Sequence, residues 1–273
     1  MAISIKSRGE LEKMRRASRI VAQALDAVTA AVRPGVTTAE LDRIAEEVIR
    51  GAGARPSFKG YAPFKHAPPY PATICASINE ELVHGIPGPR RLAPGDIISI
   101  DVGAVWDGYH GDAALTVPVG EIPPSTRRLL DVTLASLFAG IKAARAGNRL
   151  GDISAAIQQV IEGAGYAVVH EYGGHGVGRR LHEEPHVPNH GLPGRGPLLV
   201  PGMTLALEPM ANEGTRETVV RPDRWTVATA DGRLCAHFEH TICITADEAE
   251  ILTEFPPQVY ERIGASRPAL AAR

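Results

Sequence analysis

Ile98-Ser99-Ile100-Asp101-Val102-Gly103-Ala104-Val105-Trp106-Asp107-Gly108-Tyr109-His110-Gly111-Asp112 reads as a strand, a tight turn and a returning strand, with a carboxylate on each arm. Asp107-Gly108 is a two-residue hairpin signal, because a type I′ turn needs positive φ at both central positions. With the turn placed there, facing residues have numbers summing to 215, so Trp106 faces Tyr109 and Gly103 faces Asp112. Side chains alternate along a strand, so Asp101 and Gly103 share a face, and Asp101 and Asp112 become diagonal neighbours about 7 Å apart. Two carboxylates converging across an empty position repel each other unless something positive lies between them, and the Gly103 gap reads as room for a cation. The plain alternative is a solvated hairpin with two surface acids.

Around this hairpin runs a chain of 273 residues, 44% hydrophobic and 22% charged, an ordinary globular composition. Its formal net charge of −2 gives no electrostatic case for nucleic acid or an anionic membrane. The N-terminal Met1-Ala2-Ile3-Ser4-Ile5-Lys6 lacks the apolar core of a signal peptide, and no apolar run of about 18 residues exists to span a membrane. Cys75, Cys235 and Cys243 are odd in number and lack zinc-like spacing. These features point to a reducing, cytoplasmic setting.

Residues 8–33 carry a helical apolar face (Leu11, Met14, Ile20, Val21, Leu25, Val28) and end at Pro34-Gly35. A second helix over 39–50, capped by Thr38, stops at Gly51-Ala52-Gly53. The pattern recurs in helix 125–145, then in helix 153–162 with Asp152 as its cap. A shift of 112 lays Gly35 on Gly147, Leu41 on Ile153, Ile49 on Ile161 and Gly53 on Gly165. Pro94-Gly95, followed by an apolar run to Asp101, likewise matches Pro201-Gly202 and its run to Glu208. Asp112 and Glu239 each read as an acid opening an apolar strand. Two such halves, about 8–120 and 121–255, packed on a pseudo-twofold axis would bring four carboxylates into one pocket of a single domain over 1–273.

Four clustered acids resist burial unless they are protonated or neutralised by cations. His175, in Gly173-Gly174-His175-Gly176-Val177-Gly178, adds an imidazole between glycines that allow close backbone approach. One imidazole with four carboxylates exceeds a single tetrahedral zinc and suits two divalent ions bridged by shared carboxylates. His84 and His182 lie in loops near these groups, each a candidate third ligand or a hydrogen-bond donor to charge developing on a substrate. His66, His110, His186, His190 and His237 have no comparable context and read either as surface residues or as residues standing just behind the ligands.

Cys75-Ala76-Ser77-Ile78-Asn79-Glu80, His84-Gly85-Ile86-Pro87, Asp101-Val102-Gly103, His110-Gly111-Asp112, Gly174-His175-Gly176, His182-Glu183-Glu184-Pro185, Glu208-Pro209-Met210 and Glu239-His240-Thr241 resemble the type I methionine aminopeptidases of the pita-bread metallopeptidase family. The resemblance implies an α+β pita-bread fold, with pseudo-twofold halves and a central curved antiparallel sheet covered by helices. It implies two divalent ions (Co2+, Mn2+, Fe2+ or Zn2+), with Asp101 on one, His175 and Glu208 on the other, and Asp112 and Glu239 bridging both. The implied reaction is removal of the initiator methionine from nascent polypeptides with a small second residue, by a metal-activated hydroxide. Glu208 would accept a proton, His182 would steady the oxyanion and His84 would contact the scissile amide. Phe58, Tyr61, Tyr70, Cys75, Leu181 and Trp225 would wall the methionine pocket, suited to a polarisable thioether. A monomer making transient ribosome contact is the implied working form. The segment between Tyr61 and Tyr70 is longer and richer in proline than the family pattern, and Leu181 stands where a larger aromatic is common. An X-Pro aminopeptidase or prolidase of the same fold, or a non-catalytic binding module, are the competing readings.

Overall fold

Asp107 and Gly108 have φ of 47° and 77°, the two left-handed residues of a type I′ turn. They join strands Ile97–Trp106 and Tyr109–Pro118. The register pairs Trp106 with Tyr109 and Gly103 with Asp112, as the turn requires. This computed structural model describes residues 2–63 and 67–268; His66 lies outside them. The hairpin is longer than its quoted core, so Asp112 sits inside its strand instead of opening it, whereas Glu239 immediately precedes strand His240–Cys243.

Helix α1, Arg8–Ala31, starts at a capping box in which Ser7 N–H donates to Glu10 Oε2 at 2.9 Å and Glu10 N–H to Ser7 Oγ at 3.4 Å. Its buried face (Met14, Ile20, Val21, Leu25, Val28) lies across the two hairpin strands. Helix α2, Thr38–Gly51, is capped by Thr37 instead of Thr38: Glu40 closes the box from N3, one residue earlier than the sequence suggests. Helices α3, Pro124–Ala143, and α4, Leu150–Gly163, repeat the arrangement. Asp152 is also not the cap; it is the N3 residue, and its Oδ2 accepts from Arg149 N–H at 2.7 Å. Polar residues that can cap also fill N3, so the pattern fixes the helix start only to within a few residues.

The internal repeat is visible in hydrogen bonds. Gly35 N–H donates to Leu92 O at 2.7 Å and Gly147 N–H to Leu199 O at 3.1 Å; Leu92 N–H donates to Val36 O and Leu199 N–H to Asn148 O. The turn glycines match too, with Gly95 at φ 91° and Gly202 at φ 90°. Between the halves, Glu239 N–H donates to Ala114 O at 2.7 Å, and Asp112 N–H donates to Thr241 Oγ1 at 3.1 Å. Laying Asp112 on Glu239 also lays Ala114 on Thr241, so these two contacts exchange with each other, as a twofold axis demands.

All strand pairs are antiparallel among the described residues. Ile97–Trp106 pairs with Ile74–Ile78 in the first half. In the second, Gly173–Gly176 lies between Glu183–Pro188 and Thr204–Leu207, and Thr204–Leu207 pairs with His240–Cys243. The core fills the space between these sheets and the four helices. Among the described residues no helix is long and apolar enough to cross a membrane.

A candidate metal centre at the end of an apolar pocket

The two halves deliver their acids to one place. Asp101 and Asp112 come from the two arms of the hairpin and line the same cavity. Glu239 arrives through its main-chain pairing with Ala114, and Glu208 directly follows strand Thr204–Leu207. Asn189 Nδ2 donates to Glu208 O at 2.9 Å and fixes that strand end. His175 sits in strand Gly173–Gly176, flanked by Glu183–Pro188 and Thr204–Leu207. Strand packing there is tight: a Cβ at Gly174 would lie 2.2 Å from Ala206 O, and one at Gly176 would lie 2.2 Å from Glu184 O. The flanking glycines let neighbouring strands carry the imidazole into the centre.

Ligand atoms of Asp112, His175 and Glu239 all lie within 4.8 Å of one another. His175 Nε2 is 3.7 Å from Glu208 Oε1 and 3.9 Å from Asp112 Oδ2. Two donors about 2.1 Å from a shared ion can stand at most about 4.2 Å apart, so both separations fit one cation. His175 Nδ1 lies 2.9 Å from Gly176 O. A carbonyl only accepts, so Nδ1 carries the proton and Nε2 turns its lone pair to the acids, the tautomer a metal ligand needs. Burial, reinforced by His182, lowers the His175 pKa to about 3, keeping the ring neutral.

The acids are held far from their comfortable state. Burial raises Asp101 to about 7. It pushes Asp112, Glu208 and Glu239 well above the carboxylate range, with neighbouring carboxylates adding to the shift. Asp101 Oδ1, Asp112 Oδ1 and Glu239 Oε1 are buried without a hydrogen-bond partner. Buried oxygens in native proteins nearly always have one. Three orphaned carboxylate oxygens facing a neutral imidazole fit a divalent cation, which would satisfy the oxygens and restore the acids to their ionised form.

The Gly103 gap has a different occupant from the one its sequence suggests. A Cβ there would lie 2.7 Å from Phe58 Cε1 and 2.8 Å from Ser57 Cβ, so the missing side chain makes room for the pocket wall and not for a cation. That wall belongs to a cavity of about 370 Å³, with the acids at one end and Phe58, Tyr61, Tyr70, Cys75, Leu181 and Trp225 at the other. The volume and apolar lining are those of a small-ligand site. The long segment after Tyr61 does not displace Tyr70. Gly60 N–H donates to Tyr70 O at 2.8 Å and Tyr70 N–H to Tyr61 O at 2.8 Å, pinning the segment at its base. Trp225 packs edge-on to Tyr70 at 5.1 Å and donates from Nε1 to Pro68 O at 2.9 Å.

His84 and His182 stand on the cavity wall, outside the tight ligand group. His84 has φ 60° and packs edge-on to Trp225; burial, with help from His182, lowers its pKa to about 4. The His182 ring lies 4.2 Å from that of His175, and its Nδ1 is 2.5 Å from Tyr61 Oη.

Two other histidines take up the places their context left open. His237 is only 1% exposed, not a surface residue, and its unpartnered Nε2 lies 3.7 Å from Glu208 Oε2. His110 is half-buried, with Nδ1 2.8 Å from Ser57 Oγ. No sequence signal points to Asn189.

Residues 12–246 match the model of metallopeptidase family M24. Methionine aminopeptidase 1 of Bacillus subtilis is 53% identical over 251 residues, covering 92% of this chain and 99% of that protein. A methionine aminopeptidase of Clostridium acetobutylicum is 52% identical over 252 residues, with 92% and 98% covered. The crystal structure of the methionine aminopeptidase of Thermotoga maritima superposes with a TM-score of 0.89 at 46% identity, covering 93% of this chain and all of that one. With the paired halves, the antiparallel sheets and the buried Asp-His-Glu cluster already in place, this chain belongs to metallopeptidase family M24, among its type I methionine aminopeptidases.

Proposed function

We propose that this chain removes the N-terminal methionine of nascent polypeptides whose second residue is small, using two divalent ions. The observation that carries the reading is the convergence of four carboxyls, Asp112 and Glu239 buried and Asp101 and Glu208 half-buried, and a neutral imidazole in one largely apolar cavity. Asp101 would serve one ion, His175 and Glu208 the other, and Asp112 and Glu239 both; Co2+, Mn2+, Fe2+ and Zn2+ all accept such donors. A bound ion pair of this kind acidifies a water and polarises a carbonyl.

The chain's own groups supply orientation and proton handling. Phe58, Tyr61, Tyr70, Cys75, Leu181 and Trp225 take the methionine side chain and exclude water. Glu208, held at its carbonyl by Asn189 and close to His237, accepts the proton of the attacking water and passes it to the leaving amine. Tyr61 O–H donating to His182 Nδ1 leaves the His182 Nε2–H free to donate to the developing oxyanion. His84, opposite on the cavity wall, contacts the scissile amide.

A panel of Met-X-Ser peptides tests the function by amino-acid release. Rapid release of free methionine is expected for Ala, Gly or Ser at X, with X = Leu or Lys at least about fivefold slower, since a side chain too large for its site costs about 1 kcal/mol or more (about tenfold per 1.4 kcal/mol). Cleavage of Ala-Pro peptides with no methionine release would support X-Pro chemistry, and no release from any peptide would support a binding role.

A further inference from the structure

The N-terminal segment sends a buried cation beneath the loop that carries His182. Lys6 is 4% exposed at its side chain, and its Nζ lies 2.9 Å from Glu183 Oε2, on a carboxylate that is 10% exposed. Ser4 Oγ donates to the same oxygen at 2.7 Å and also contacts Lys6 Nζ. Arg180 N–H donates to Glu183 Oε1 at 3.1 Å. The core is shaped around this segment. A Cβ at Gly178 would lie 2.4 Å from Lys6 Cε, and one at Gly202 would lie 2.8 Å from Ile5 Cγ2. Lys6 N–H donates to Gly202 O at 2.8 Å. Burial alone would raise the Glu183 carboxyl, but its hydrogen bonds to Lys6, Ser4 and Arg180 hold it at about 2.

A buried ion pair is a poor source of stability, because desolvation offsets most of its attraction and an apolar pair of equal volume does as well. What this one provides is direction. Three donors converge on the carboxylate of the residue immediately after His182, while the His182 ring itself meets Tyr61 and His175. The loop's other end is tied by His110 N–H donating to Gly178 O at 2.8 Å. Fixing Glu183 therefore fixes the backbone from which the imidazole projects.

We propose that Lys6 is a positioning residue for peptide hydrolysis: with Ser4 it anchors Glu183, and so holds His182 in its place over the candidate metal centre. The inference rests on the role given above to His182. Nothing in Lys6 touches the cavity, so its removal should slow turnover while leaving the binding of methionine alone.

Lys6→Met keeps the apolar stem and deletes the ammonium. On Met-Ala-Ser the kcat is expected to fall about 10- to 100-fold, as for a catalytic group displaced by about 1 Å. KM should stay within about twofold of wild type. In a His182→Ala background the same change should cost less than about twofold, because there is no imidazole left to misplace. Independently of activity, the His182 ring resonances, assigned by their loss in His182→Ala, should shift in Lys6→Met. If circular dichroism shows Lys6→Met to be unfolded, Glu183→Gln takes its place with the same expected pattern. Equal losses in both backgrounds, or unchanged kcat with unchanged His182 resonances, would overturn the proposal. A wild-type protein that releases no methionine would instead overturn the functional reading, and the His182 resonances would then decide the matter of Lys6.

Discussion

Asp112→Asn is expected to lower kcat/KM for methionine release by about 10³-fold or more, matching the several kcal/mol a metal centre contributes to such a transition state. Metal bound per chain should fall with it. Asp112 is 3% exposed, its Oδ2 lies 3.9 Å from His175 Nε2 and its Oδ1 is unpartnered. Asparagine keeps the shape but turns an anion into a neutral group with two N–H donors, which point the wrong way for a cation. The variant should nevertheless fold. Burial and its neighbours Glu239 and Asp101 already push the Asp112 carboxyl well above its usual range, so the metal-free protein holds it in a neutral form that asparagine mimics. A carboxyl raised in the folded state makes that state bind more protons than the unfolded one. Metal-free stability therefore falls as pH rises from about 4, the free-carboxyl value, and the variant should show less of that fall. Thermal melts of both proteins at pH 5 and pH 8, with elemental analysis, check the two halves of this prediction. Full retention of metal by a folded Asp112→Asn protein would remove Asp112 from the ligand set.

His182→Ala is expected to act on a different quantity. Losing one donor to a developing oxyanion costs about 10²–10³ in kcat. KM and metal content should stay near wild type, because the His182 ring stands beside His175 but outside the group of ligand atoms that lie within 4.8 Å of one another. Steady-state kinetics with metal analysis separate this from the Asp112 effect. A normal kcat would strip His182 of the oxyanion role, and loss of metal would make it a ligand.

Much of this arrangement was legible because the deciding signals are local or periodic. Asp107-Gly108 sets the hairpin register, since only a type I′ turn with positive φ at both residues joins the arms there. The glycine stops at Gly35 and Gly147, and the Pro-Gly turns before the acid-bearing strands, disclosed the two halves, because a repeated backbone needs its left-handed residues at repeated places. Contacts that depend on what another segment brings were not legible. Gly103 looked like space for a cation until Phe58, from far along the chain, was seen to fill it. His237 stayed open between surface and interior because a three-residue strand, Cys235–His237, offers too little alternation to show which side faces inward. The helix caps slipped to Thr37 and Arg149 because adjacent Thr37 and Thr38 are equally able to cap, and because Asp152, polar enough to cap, instead sits at N3 and accepts from the N–H of the cap residue. Lys6 had no signal at all: a single lysine near the chain start is ordinarily solvated, and only the glycine-lined groove and Glu183 make it otherwise.

The central claim is that the buried carboxyls and His175 exist to hold divalent cations that make methionine release possible. Its most direct test is methionine release from Met-Ala-Ser by protein stripped with a chelator, verified metal-free by elemental analysis, then titrated with Mn2+, Fe2+, Co2+ or Zn2+. The account predicts no release from the stripped protein and recovery on titration, with binding saturating at two ions per chain. Undiminished release from verified metal-free protein would contradict it.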